Sequence, residues 1–207
     1  MAGDVCPGRL EEMSRGACFL PQEGEIMKKT TWLLAALVAL VVASPTFAQG
    51  MKAGPAPGAV ETLRQSLNYV KGFVLTSADQ MPEADYAFKP TPAVRSFGQI
   101  LAHVADANYM FCSSVLGEAS PVPAPGIEKS KTSKADIVAA LKASYEYCGR
   151  AYAIADADTG TKLTIFGREF TRFGALMINT THNWEHYGNI VTYLRLRGQV
   201  PPSSKEM

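Results

Sequence analysis

Histidine is nearly missing from this 207-residue sequence: there are three, His103, His182 and His186. Charge of one sign is missing too, since 20 Lys and Arg stand against 19 Asp and Glu. Nothing in that balance asks for nucleic acid or an anionic membrane surface. No apolar run reaches the roughly 20 residues of a membrane-spanning helix; Trp32–Ala43 falls well short. There is no internal repeat, no Gly-rich phosphate loop, no oxyanion motif and no HExxH, which excludes repeat arrays, P-loop chemistry and the zincin type of protease. Cysteine is sparse, and of the four present only Cys112 and Cys148 lie beyond residue 26.

What is present starts with a targeting segment. Lys28 and Lys29 form a basic head, Trp32–Ala43 an apolar run, and Thr46-Phe47-Ala48 a small-x-small site. Residues 27–48 therefore read as a secretory signal peptide cleaved after Ala48, and the chain as exported, periplasmic or secreted. The alternative, an uncleaved segment, is the sole membrane attachment the sequence offers. Residues 1–26 carry charge and glycine ahead of that signal and read as a mis-assigned extension, with Met27 as the expected start; Cys6 and Cys18 then drop out. Residues 49–58 are a Gly/Pro/Ala tether, 59–200 the folded domain, and 201–207 a disordered tail.

Periodicity in 59–200 predicts an all-α fold of four helices. The first spans about 59–78, with Val60, Leu63, Leu67, Val70, Phe73 and Val74 at spacings of three and four. Ser96 is an N-cap for the second, which Gly117 closes. Residues 120–134, SPVPAPGIEKSKTSK, are too rich in Pro and Lys to pack. Ser133 opens the third helix, residues 162–172 alternate around Gly167-Arg168 like a short hairpin, and Thr171 caps a fourth that runs to Arg197 with Gly198 as its stop. Such elements make a four-helix bundle. The long link between helices two and three allows them to run parallel, in up-down-down-up order. Cys112 and Cys148 then reach similar heights and can form a disulfide in an oxidising compartment; the plainer reading is two buried thiols.

On a helix, His186 lies about 40° around from His182 and one turn on, so both rings can face one point. His103 sits on a different helix, where the third ligand of a bundle-core site would have to be. Three neutral imidazoles suit Zn, Ni, Fe or Mn and leave a position open for water or substrate. The competing explanation is a set of core histidines bonded to backbone carbonyls, which would leave two rings facing each other without a partner for either proton. Asn183 stands where HExxH needs its glutamate, and Glu185 falls at the edge of the face. Asp106, one turn after His103, is either a partner for that ring's N–H or a solvated charge. Tyr193 reads as core filling before pocket wall.

The histidine in SFGQILAHVADANYMF together with the paired HxxxH of THNWEHYGNIVTYLRLRG resembles the DinB-like (damage-inducible) proteins, over essentially all of 49–207. The resemblance implies an up-down-down-up four-helix bundle holding a divalent metal by His103, His182 and His186. It departs from the pattern after the last ligand, where Tyr187-Gly188-Asn189 replaces the usual basic residue and glutamine. That change makes Tyr187 and Asn189 the expected seat of specificity. The resemblance also implies thiol-dependent transferase or isomerase chemistry, which needs a reduced thiol pool that an exported protein would not meet. A metal-activated water acting as hydrolase on a small-molecule substrate suits the compartment better, and a non-catalytic metal- or ligand-binding module is the third expectation. Outward helix faces of such bundles can pair as a homodimer, although no apolar stripe requires it.

Overall fold

The computed structural model describes residues 56–123 and 126–205; the extension, the signal peptide and most of the tether lie outside them. Four long helices form where the periodicity placed them: α1 (Ala59–Gln80), α2 (Phe97–Leu116), α4 (Lys134–Ala151) and α5 (Arg172–Leu196). Between α2 and α4 stands a single turn, α3 (Ile127–Ser130), and before α5 an antiparallel hairpin of β1 (Lys162–Ile165) and β2 (Arg168–Thr171).

The ends are fixed largely by local chemistry. Ser96 and Gln99 form a capping box at α2, while Ser133 and Thr171 accept from Asp136 N and Gly174 N at the starts of α4 and α5; each such cap is worth about 1 kcal/mol. Gly117 and Gly198 take the left-handed backbone, φ 71° and 70°, that closes α2 and the turn after α5. One start is capped from far away. The Asp156 carboxylate accepts from Ala59 N and Val60 N, both at 3.0 Å, and lies so close to Gly58 that a Cβ there would collide with it.

Helix directions follow from paired contacts. Asn108 bonds Ser144 and Cys112 is joined to Cys148, both steps running forward, so α2 and α4 are parallel. Asn108 meets Asn183 while Cys112 meets Asn179, which makes α5 antiparallel to α2. Trp184 donates to Ser66, and Tyr187 stacks on Phe73, so α1 and α5 are parallel. Lys71 lies over Tyr145 and Lys142 pairs with Asp79, which sets α1 antiparallel to α4. The order is up-down-down-up.

The core holds Val70, Val74, Phe97, Leu101, Leu141, Leu176, Ile190 and Leu194, all essentially free of solvent. A polar chain runs through it: Tyr145 Oη donates to Asn183 Oδ1 (2.7 Å), Asn183 Nδ2 to Asn108 Oδ1 (3.0 Å), and Asn108 Nδ2 to Ser144 Oγ (3.1 Å). Cys112 and Cys148 form a disulfide within this core, with Cα atoms 5.2 Å apart, instead of two free thiols.

Two expectations are corrected. Residues 201–205 are not a loose tail: Pro201 and Pro202 are buried, and the turn Pro202–Ser204 is tied down by Tyr187, whose hydroxyl donates to Ser203 Oγ at 2.7 Å. Within the 120–134 stretch, the turn at Ile127 also packs. Ile127 is buried, and the α3 turn is held by Asp106, whose carboxylate accepts from Ile127 N (2.7 Å) and Glu128 N (2.9 Å). A single turn leaves orphan N–H groups at its start, and an acid on α2 satisfies two of them.

Candidate metal centre

His103, on the second turn of α2, meets His182 and His186 of α5 across the antiparallel pair. Their Nε2 atoms converge: His103 to His182 at 3.2 Å and His186 to His182 at 3.0 Å. One nitrogen from each ring lies within 4.8 Å of the others, a group that could hold a metal ion. Two imidazole nitrogens at zinc-ligand distance from one ion in a tetrahedral arrangement lie about 3.3 Å apart, so the donor set fits such an ion with little movement.

Burial first, then the neighbouring imidazoles, brings His182 down to about 4. Burial followed by His103 and Arg95 does the same for His186. Burial and Arg95 lower His103, against the opposing pull of Glu128 and Asp106. All three rings are thereby held neutral near pH 7, the form in which imidazole ligates.

The outer nitrogens differ. His103 Nδ1 stands 3.3 Å from Glu128 Oε2, which places the ring hydrogen on Nδ1 and turns the Nε2 lone pair inward. The other carboxylate oxygen of Glu128 accepts from Arg95 Nε at 2.9 Å. His186 Nδ1 lies 3.5 Å from the Asn189 amide, the outer limit of a hydrogen bond. His182 Nδ1 is buried without a partner among the described residues.

Asp106 is thus not the acceptor for His103; it positions the segment that carries the acceptor. Glu128 and Arg95 went unnoticed in the sequence, and the only signal was Asp106 itself, an acid one turn beyond a ligand. Gly126 completes the arrangement: its φ is 87°, and a Cβ at this position would lie 3.0 Å from the Asp106 carboxylate. Tyr187, an expected seat of specificity, is turned away: its ring stacks on Phe73 with centroids 5.0 Å apart. Asn189 remains beside the site. Tyr193 is both core and wall, buried, with its hydroxyl donating to Arg95 O at 2.6 Å. Asn183 spends its side chain in the polar core and Glu185 is exposed, so neither replaces the missing HExxH base.

Two cavities flank the histidines. One, of about 620 Å³, reaches His103 and His182 and is walled by Ala107, Met110, Phe111, Val122 and Phe166. The other, of about 740 Å³, reaches His186 and is walled by polar groups, among them Lys89, Arg95, Gln99, Glu128 and Asn189.

The family model of the DinB superfamily matches residues 74–190. The chain belongs to the DinB superfamily. The matched stretch contains all three histidines, Asp106, Glu128 and the hairpin. Among solved structures, a DinB-like protein from Bacillus cereus is similar with a TM-score of 0.59 at 20% identity, over 69% of this chain and 95% of that one. A DinB-like protein from Bacillus subtilis gives 0.55 at 18%, over 67% and 93%. These likenesses show the DinB bundle alone. No curated protein matches the chain.

Proposed function

We propose that this DinB protein binds one divalent transition metal through Nε2 of His103, His182 and His186 and acts outside the cytoplasm as a metal-dependent hydrolase on a small molecule. The observation that carries the metal reading is the convergence of three neutral ring nitrogens, one of them held in its ligating tautomer by Glu128. Zn, Ni and Fe suit an all-imidazole set best; Mn, the fourth candidate, favours oxygen ligands.

When bound, such an ion supplies Lewis acidity, polarising a carbonyl and acidifying water toward neutral pH. The residues supply position. Glu128 orients His103, and Asp106 and Arg95 orient Glu128. Both Glu128 oxygens are engaged, so this carboxylate holds a ligand and is not a free base. The wall beside His103 and His182 gives one side of the centre an apolar face.

The buried Cys112–Cys148 bond supports an oxidising compartment, in keeping with the signal-like segment 27–48. It weighs against thiol-transferase chemistry, which requires a reduced thiol pool. A metal- or ligand-binding module without turnover is supported by the lack of a free base beside the histidines among the described residues, and it is separated from the hydrolase by activity alone.

Elemental analysis of the purified protein tests the proposal, with about one equivalent of transition metal expected. His103→Ala should lose that metal, and any ester or amide turnover with it. Absence of stoichiometric metal after incubation with Zn²⁺, Ni²⁺ or Mn²⁺ would refute the metal reading; metal without turnover on a panel of esters and amides would leave the binding module.

A further inference from the structure

At the tip of the hairpin, Phe166 stands in a place that ordinary folding does not explain. It is 77% exposed, the most solvent-exposed of the large apolar residues of the described chain. With φ 53° it is also the sole non-glycine residue there with a left-handed backbone. It is followed by Gly167 at φ 74°, so the two central residues form the tight turn that favours Asn-Gly or Asp-Gly. A bulky side chain is disfavoured in that conformation, and its exposure gains nothing from burial. Asparagine at 166 would relieve both. The ring nevertheless lines the apolar cavity that reaches His103 and His182.

That cavity differs from its neighbour in chemistry. Ala107, Met110, Phe111 and Val122 give it an apolar floor. Its Asp106 carboxylate is already occupied by the α3 backbone, and Lys129 stands at its edge. The neighbouring cavity touches only His186 and is walled by Lys89, Gln99 and the Arg95–Glu128 pair, a setting for polar groups.

We propose that the apolar cavity is the subsite for the substrate's body, that the body is aromatic, and that Phe166 is a specificity residue closing over it while the substrate's coordinating head reaches the histidines. A ring bound there would remove the Phe166 face from water, which accounts for a side chain that is unfavourable in the free protein. This rests on the metal site proposed above, because the head group is held by the ion.

The test compares two probes with the same metal-coordinating head, benzohydroxamate and acetohydroxamate, titrated into the Zn²⁺-loaded full chain whose metal content is measured first. The aryl probe should bind about tenfold or more tightly. Phe166→Asn, a residue suited to this turn, should keep the metal content, the acetohydroxamate affinity and a thermal midpoint no lower than wild type. It should lose most of the aryl preference. Equal affinity for the two probes, or a preference undiminished in Phe166→Asn, would overturn the subsite with the metal site intact. Failure to bind any of Zn²⁺, Ni²⁺ or Mn²⁺ would overturn the metal reading and this inference together.

Discussion

At the scale of single residues, His103 depends most on a neighbour. Its Nδ1 hydrogen faces Glu128 at 3.3 Å, and the carboxylate both fixes the ring and makes its inner nitrogen a better donor. Glu128→Gln keeps the shape and an acceptor oxygen but removes the negative charge. Metal affinity should fall by about 10–100-fold, read by competition with a chromophoric chelator, while the unfolding midpoint of the metal-free protein stays within a small shift because the side chain is only partly buried. An unchanged affinity would mean that Glu128 merely pairs with Arg95. The pairing of His182 with His186 was legible from spacing, because i and i+4 on one helix define a face; His103 joined them through its place on a second helix and the resemblance to the DinB-like pattern. Glu128 was not legible, because no local pattern says which loop residue will arrive beside a ligand.

At the scale of elements, α3 is the piece the sequence hid. The stretch 120–134, with Pro121, Pro123 and three lysines between 129 and 134, reads as solvated, yet Asp106 gathers two of its backbone N–H groups and the turn closes over His103. The same long-range capping joins Asp156 to the start of α1 across 96 residues. By contrast Ser96, Ser133, Thr171, Gly117 and Gly198 were legible, because caps act within a few residues of themselves. If Asp106 works through Glu128, then Asp106→Ala should undock α3 and weaken metal binding to a similar extent as Glu128→Gln. The double variant should be little worse than either single one, since both break one path. Full additivity would show that Asp106 reaches the metal site by another route. Hydrogen exchange at Ile127 and Glu128 amides should rise in Asp106→Ala.

At the scale of the whole molecule, α2 is the helix on which both cross-connections meet. Its Cys112 is joined to α4 through the disulfide, and its His103 faces α5 through the histidine group. Cys112 is nine residues beyond His103, about 180° around the helix, so the two connections leave from opposite sides. The up-down-down-up order was readable as a possibility from the length of the α2–α4 link, and the disulfide needs that order because it requires equal heights on parallel helices. Closing a loop of 36 residues in the unfolded chain is worth about 4 kcal/mol. Cys112→Ala with Cys148→Ala should therefore lower urea-derived stability by roughly 2–4 kcal/mol, and intact wild-type protein should gain two mass units on reduction. Metal stoichiometry in the double variant should remain that of wild type, because α5 still brings His182 and His186 to α2 through core packing and the Asn183–Asn108 bond. Loss of metal together with the disulfide would mean instead that α4 holds α2 in the register the histidines require, making the covalent link part of the site.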